Sequence, residues 1–454
     1  MPVDGRSLQV GVITGLAPRL ITGCGHPESL ATYRATGGYR HQFEAGAFLD
    51  LVEASGLRGR GGASFPTARK LRTVRAGPGR PVVVANGEEG EPTSVKDRWL
   101  LRHRPHLVLE GLLLAAAAVD ADLAYVYVSD RQAEQSITEA VGELPTHKID
   151  VRVVRTEPGY VAGEETAAVQ FLNGGPALPA EKPPRPYESG VAGRPTLVSN
   201  IETLTNLPVL ARLGVDGYRS VGTERAPGSF LMTLGGHCAA PGLYEVPLGI
   251  PLGTALSALG GREVSGREVG GRARGGTAWG GAVDRPTGFL MGGYFGGLLN
   301  QRGLDLRLDY DALGAEGSGL GCGAITVLGP QDCPVRVAAE VMAYFARENA
   351  GQCGSCFNGT AAMSALLSAM VDGVAALEQL ARLRQLSGFL VRRGACGTLD
   401  GAAQLATSLL REFPEVVQEH LGEPCPNCRD SEPICTTAPF AVAVPGTQAE
   451  LLGS

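Results

Sequence analysis

Cys353, Cys356, Cys396, Cys425, Cys428 and Cys435 place six of the chain's ten cysteines in its last quarter. Thiols crowded at short spacing, in a chain that does not read as a secreted disulfide framework, point to metal or iron–sulfur ligation. Cys353 and Cys356 form a Cys-x2-Cys pair in ENAGQCGSCFNGT, and Cys396 follows in RRGACGTLDGAA. The tail HLGEPCPNCRDSEPIC adds His420, Cys425, Cys428 and Cys435. A set of four N and S ligands suits zinc. Cys24, Cys238, Cys322 and Cys333 are scattered and read as small core residues.

A second chemistry is anion binding. In GLRGRGGASFPTARK, residues 56–70, Gly56, Gly59, Gly61 and Gly62 allow close backbone approach to a ligand, while Arg58, Arg60, Arg69 and Lys70 carry positive charge. Pro66 suits the start of a helix, and a glycine loop running into a helix N-terminus seats a phosphorylated group. The stretch is no P-loop: it lacks the Gly-Lys-Ser/Thr ending, and Ser64 stands where a dinucleotide fingerprint has its third glycine.

Three polar segments follow. NGEEGEPTSVKDR holds Asn86, which can hydrogen-bond a ring edge, and the acidic Glu88, Glu89 and Glu91. GYVAGEETAAVQFLNG holds Gly163, then Glu164 and Glu165, where carboxylates suit the N-terminal end of a helix dipole. SNIETLTN, with Asn200 and Thr203, reads as a helix cap.

The elements that must position these groups are legible. PVVVAN, residues 81–86, is a continuous β-branched run of the kind found in buried parallel strands. A helix over 106–119, a strand in AYVYVS and a third strand over 151–154 complete an alternating pattern that predicts an open α/β sheet. Ligands in such sheets bind beyond the carboxyl ends of the strands, where the polar motifs fall. Residues 260–282 are a glycine–arginine run expected to be a loop, and GAITVLG is a further strand. From residue 334 the pattern turns helical, with four short helices suited to a bundle.

Composition narrows the classes. Net charge is −6 and pI about 5.8, which gives no nucleic-acid-binding surface. The most apolar stretch, 107–119, is interrupted by Glu110 and is shorter than the about 20 residues a membrane span needs. MPVDGRSLQV has no basic run before an apolar core, so a cytoplasmic protein without a secretory signal is expected.

Taken in order over residues 18–414, these motifs resemble those of the NADH-oxidising, FMN-bearing 51 kDa-type subunit of respiratory complex I. Related subunits serve NAD-linked hydrogenases and formate dehydrogenases. The resemblance implies an N-terminal lead-in (1–45), a Rossmann-like FMN/NADH domain (46–225), a small β-grasp (SLBB-like) domain (226–310), a helical iron–sulfur domain (330–420) and a cysteine-containing tail (421–454). It implies that Gly59, Arg60, Gly61, Gly62, Asn86, Glu88, Glu89, Glu91, Gly163, Asn200 and Thr203 hold FMN. Lys70 of the glycine loop belongs to the same cofactor-binding set, and Phe65 and Lys182 would serve NAD(H). Glu89, Glu164 and Glu165 would lie at the reacting ring, and Cys353, Cys356 and Cys396 would hold a cluster.

The chain departs from the family pattern at several places. Ala350 stands at the first of four cluster cysteines, leaving a 3Fe–4S cluster, or a 4Fe–4S cluster with a foreign ligand. Glu88 replaces an aspartate, and Thr73 and Arg185 replace two aromatic rings that flank the dinucleotide. The tail cysteines fall outside the family motif; they bind a second metal, or one of them replaces the missing cluster ligand. The leading expectation is electron transfer from NADH through FMN to the cluster, and onward to an iron–sulfur redox subunit, in a complex that can itself be membrane-attached. A ferredoxin-linked flavoprotein and a non-catalytic scaffold paralogue are the alternatives.

Overall fold

The computed structural model describes residues 8–21, 26–41, 43–145, 148–259, 285–429, 434 and 437–444. Cys24, Cys435 and the glycine–arginine run at 260–282 lie outside them. Ten strands among the described residues are numbered in chain order: β1 (Gln9–Val12), β2 (Val82–Asn86), β3 (Leu123–Val128), β4 (Asp150–Arg155), β5 (Thr196–Asn200), β6 (Ser229–Gly236), β7 (Gly242–Pro247), β8 (Gly288–Met291), β9 (Leu298–Asn300) and β10 (Ala324–Leu328).

β2 has no exposed apolar side chain, because both of its faces are covered. Val83 and Ala85, with Ala124 and Val126 of β3, join the core made with helices Pro105–Val119 and Ile201–Arg219. Val82 and Val84, with Tyr125 and Tyr127, pack on the other face against Ala168 and Val169 of helix Glu165–Leu172. Alternate residues of one strand therefore serve two helical layers. Helix Pro105–Val119 starts with proline in its first turn and stops where Asp120 adopts a left-handed conformation. Its interrupting Glu110 is buried, accepting bonds from the Tyr33 hydroxyl and from the Tyr39 backbone N–H at 2.9 Å.

This sheet is parallel, in the order β4-β3-β2-β5. The chain moves outward from β2 through β3 to β4, then returns to the other side of β2 with β5. A crevice opens at such a reversal, beyond the carboxyl ends of the strands.

The second sheet runs β1-β7-β6-β10-β8-β9, mixing parallel and antiparallel pairs. Strands β6 to β9 fall in the stretch expected to form the β-grasp domain (226–310), while β10, inserted between β6 and β8, and β1 come from outside it. The edge strand β1 comes from the N-terminal lead-in and pairs parallel with β7. Four residues are too few to carry a readable periodicity, so this strand has no signature in the sequence. The bundle consists of helices Pro334–Glu348, Leu377–Phe389 and Thr398–Glu412 around the longer Gly354–Val371, with Pro414–Glu419 appended.

Candidate functional site

A cavity of about 470 Å³ lies at the reversal point. The glycine loop contributes Gly61 and Gly62, β2 ends in it with Asn86, and β5 ends in it with Asn200. Gly292 and Cys322 line it from the connections of the second sheet, and Cys396, Gly397 and Thr398 from the bundle. All three units therefore meet at one space. A second cavity of about 460 Å³ shares Gly61, Asn86, Gly163, Glu164, Asn200 and Gly397 with it. It adds Gly59, Phe65, Lys70, Glu165, Lys182 and Thr203.

The glycines are required by contact. A Cβ on Gly61 would stand 3.0 Å from the Asn200 Cβ, and one on Gly163 would stand 2.8 Å from the Glu88 carbonyl oxygen. Gly62 has φ +111°, a region side chains disfavour. Asn86 Nδ2 donates to the Gly163 carbonyl at 2.7 Å, locking the two motifs together.

The three glutamates after β2 have three different jobs. Glu88 is buried, accepting from the Ser129 hydroxyl and from the Gly159 N–H at 3.1 Å, and burial raises its pKa. Glu89 satisfies the start of helix Lys96–His103, taking the Asp97 N–H at 3.2 Å and the Arg98 N–H at 3.0 Å. Burial opposes its charge, yet Arg98, Lys96 and these hydrogen bonds prevail and hold the carboxyl below its usual range. Its carboxylate is thus committed to the helix, although the residue borders the cavity. Glu91 accepts the Tyr294 N–H at 3.1 Å and the Thr93 hydroxyl at 2.8 Å, and burial pushes it up to about 7. Its titration therefore reaches the neutral range.

Below the loop lies a buried network that joins the Lys-Asp-Arg run of the first polar segment to Asn200 and Glu202 of the third. Lys96, 1% exposed, donates to Asp97 at 2.9 Å and to Asn200 Oδ1 at 3.2 Å, and pairs with Glu202 at 3.1 Å. The Lys-Asp-Arg run directly after the acidic loop was the available signal. Arg60, expected in the cofactor-binding set, turns its side chain away from both cavities. Its guanidinium does not line either cavity; it is buried toward the Tyr218 hydroxyl and the Ser229 carbonyl, while its backbone N–H donates to Thr203 Oγ1 at 2.8 Å. Surrounding Tyr218, Tyr310 and Glu202 give this cation a buried polar berth, so it supports the loop from beneath.

Glu164 caps helix Glu165–Leu172, accepting the Thr166 N–H at 2.7 Å, and takes Lys182 Nζ at 2.6 Å. Glu165 pairs with Lys70 at 3.7 Å and Lys182 at 3.9 Å. Desolvation lowers the Lys70 pKa. Phe65 stands beside this four-charge group, 45% exposed, with the Arg69 guanidinium 5.7 Å from its ring centre. Thr73 and Arg185 are exposed and line neither cavity.

Cys353 is the N-cap residue of helix Gly354–Val371 and Cys356 lies in its first turn. Cys353 and Cys396 both act electrostatically on Cys356, whose pKa is pushed up to about 12, chiefly by burial. The Ala395 N–H lies 3.4 Å from Cys353 Sγ, and the Thr398 hydroxyl 3.4 Å from Cys396 Sγ. The scattered cysteines are corrected in two cases: Cys322 lines the first cavity, and Cys333 meets His420, Cys425 and Cys428. Cys435, expected beside them, lies outside the described residues.

Comparison with known proteins adds the lineage. The family model for the Nuo51 FMN-binding domain matches residues 52–209, and that for the NADH-ubiquinone oxidoreductase-F iron-sulfur binding region matches residues 336–420. The NADH-quinone oxidoreductase F subunit of Streptomyces coelicolor is 33% identical over 434 residues, 90% of this chain and 93% of the relative. The chain belongs to the family of NADH-quinone oxidoreductase F subunits. Another member, the "F 2" subunit of Rhizobium meliloti, is 32% identical over 87% of this chain and 94% of its own. The fold of the family extends to a solved NAD+-reducing NiFe hydrogenase, with TM-score 0.73 and 28% identity over 87% of this chain and 67% of that one.

The residues present fit the cofactors of this family. Tyr160 lines the first cavity and Thr67 the second, and the side-chain oxygen of each is buried without a hydrogen-bond partner. Gly61 and Gly163 pack without a Cβ against Asn200 and the Glu88 carbonyl, which holds the segments that wall the cavities close together. At the cluster region, Cys353 and Cys356 place two thiols at one helix N-terminus, and donors to sulfur are in place.

Proposed function

We propose that this chain is the FMN- and iron–sulfur-bearing subunit that takes electrons from NADH and delivers them singly to an iron–sulfur partner in an NADH dehydrogenase-type complex. The observation that carries this reading is the shared cavity: Cys396 of the cluster region and the glycine loop, Asn86 and Asn200 of the flavin region line one space. When bound, FMN supplies the conversion between a two-electron donor and one-electron carriers.

The chain's own residues supply position and charge. Gly61 and Gly163 hold the segments that wall the cavities close together. Asn86 and Asn200 present amides at the strand ends, each held by a hydrogen bond of its own. Lys70, Lys182, Glu164 and Glu165 form a charged, mutually neutralised rim beside Phe65, where a dinucleotide would lie. Glu91 is a group able to exchange a proton near neutral pH as charge in the cavity changes.

No described helix is long and apolar enough to cross a membrane. We place the chain on the cytoplasmic side, attached to its complex through redox subunits. Replacing Cys396 by Ser tests the order of carriers. NADH is expected still to bleach the flavin, while reduction of a one-electron iron–sulfur partner slows at least about tenfold, a barrier increase of about 1.4 kcal/mol. Unchanged electron delivery in that variant would remove Cys396 from the path.

A further inference from the structure

Four ligand-type side chains converge at the foot of the bundle, away from the residues used above. Cys333 follows β10 and is the N-cap residue of helix Pro334–Glu348; His420 ends helix Pro414–Glu419; Cys425 precedes the turn at Pro426–Arg429 and Cys428 lies within it. Their ligand atoms all lie within 4.8 Å of one another. His420 Nε2 is 3.4 Å from Cys333 Sγ and 3.5 Å from Cys428 Sγ. Metal–sulfur bonds of about 2.3 Å and a metal–nitrogen bond of about 2.0 Å, at tetrahedral angles, separate S and N by about 3.5 Å. His420 is fully buried, and Cys333 and Cys428 are 4% and 6% exposed. The His420 Nδ1 lies 2.7 Å from the Val416 carbonyl, the outer bond that fixes the tautomer and turns Nε2 toward the thiols.

We propose that Cys333, His420, Cys425 and Cys428 form a closed, mononuclear zinc site that staples the C-terminal segment to the junction of β10 and the bundle. Three thiols and an imidazole are a structural zinc set, and such soft ligands without a carboxylate do not suit magnesium or calcium. A cubane cluster would hold its thiolates around several irons, farther apart than ligands around one ion. Binding one Zn²⁺ displaces the three thiol protons and leaves the imidazole neutral, with no electron transferred. Four protein ligands leave no open position, so the site is not catalytic. Engaged in this way, Cys425 and Cys428 do not serve as the cluster ligand that Ala350 lacks.

The staple bears on the cavity indirectly. Beyond it the chain runs back over the flavin domain: the Tyr294 hydroxyl donates to the Pro439 carbonyl, and the Val442 N–H donates to the Pro92 carbonyl at 2.9 Å. Pro92 adjoins Glu91. The zinc therefore fixes the root of a strap over the acidic loop.

The test uses the full-length protein with its flavin and iron in place. Elemental analysis is expected to find about one zinc per chain beside the iron, and zinc-edge X-ray absorption a shell of about three sulfurs and one nitrogen. The Cys425→Ser variant is expected to lose the zinc and keep its flavin absorbance, and Cys435→Ser to keep both. Absence of zinc from the unmodified protein, an oxygen-dominated shell, iron in that shell, or a Cys425–Cys428 disulfide by mass spectrometry would each overturn the assignment. Full zinc retention in Cys333→Ser would overturn the part given to Cys333. The metal content of the unmodified protein decides the matter even where a variant fails to fold.

Discussion

Asn86 and Asn200 are register partners at the carboxyl ends of the adjacent parallel strands β2 and β5. Both side chains line the cavity, and they meet where the chain reverses direction across the sheet. The backbone of Gly61 lies against Asn200.

That contact makes the glycine loop testable. A Cβ at Gly61 already comes within 3.0 Å of the Asn200 Cβ, and valine would add two methyl groups at the cavity wall. Gly61→Val is expected to purify with less than about a tenth of the parent's flavin, equivalent to a loss of more than about 1.4 kcal/mol of binding. Gly61→Ala should sit between them. The check is the ratio of flavin to protein absorbance in folded samples; a full complement in Gly61→Val would move the flavin elsewhere.

A pH dependence follows from Glu91. Burial raises its pKa from 4.5 to about 7, so the folded protein retains a proton that the unfolded chain releases. The group's contribution to stability is greatest below pH 4.5 and declines as pH rises through 7; by pH 8 about 3 kcal/mol is lost. Glu91→Gln keeps the acceptor for the Tyr294 N–H and cannot ionise. In urea unfolding at matched flavin content, the variant should match the parent near pH 5 and exceed it at pH 8. Parallel curves across that range would mean that Glu91 does not carry the proton.

How much of this is readable from the sequence depends on how local each signal is. Val82–Asn86 declares a buried strand by itself, and the helix over Pro105–Val119 follows from its own residues. The glycine loop and the Glu164 cap are likewise local. The role of Glu89 is not legible, because the two helical N–H groups it accepts come from residues whose turn the sequence does not display. Arg60 reads as a ligand cation because exposure is the default for arginine; its burial depends on Tyr218 and Ser229, far along the chain. Cys333 reads as a core residue for the same reason: its partners arrive from two other elements.

The cluster region carries its own expectation. Ala350 has no ligand atom, and Cys353, Cys356 and Cys396 supply three thiols. The purified, air-oxidised protein is expected to show the EPR signal of a three-iron cluster, or to lose iron on exposure to air. Ala350→Cys should restore the fourth thiolate, raise the iron retained per chain and replace that signal by one seen only after reduction. An unchanged iron count and spectrum in Ala350→Cys would show that the fourth position is filled by another group.

Phe65 lines the second cavity, and Thr73 and Arg185, where the family resemblance implies aromatic rings, are exposed and line neither cavity. Each missing ring forfeits about 0.5–1.5 kcal/mol of stacking. The Thr73→Phe, Arg185→Phe double variant is expected to lower KM for NADH by about one to two decades with kcat nearly unchanged, since binding common to ground and transition states is what is restored. Steady-state kinetics with an artificial one-electron acceptor measures this. A change in kcat with KM unmoved would place those positions at the reacting ring instead.

The central claim is that one cavity joins the NADH-reduced flavin to the cluster at Cys396. Anaerobic titration of the purified protein with NADH, followed by visible absorbance and by low-temperature EPR of the same samples, tests it most directly. The flavin is predicted to bleach and the cluster to change redox state in step with it, with Cys396→Ser abolishing only the second change. A flavin that stays oxidised with excess NADH, or one that bleaches while the cluster of the unmodified protein does not respond, would contradict it.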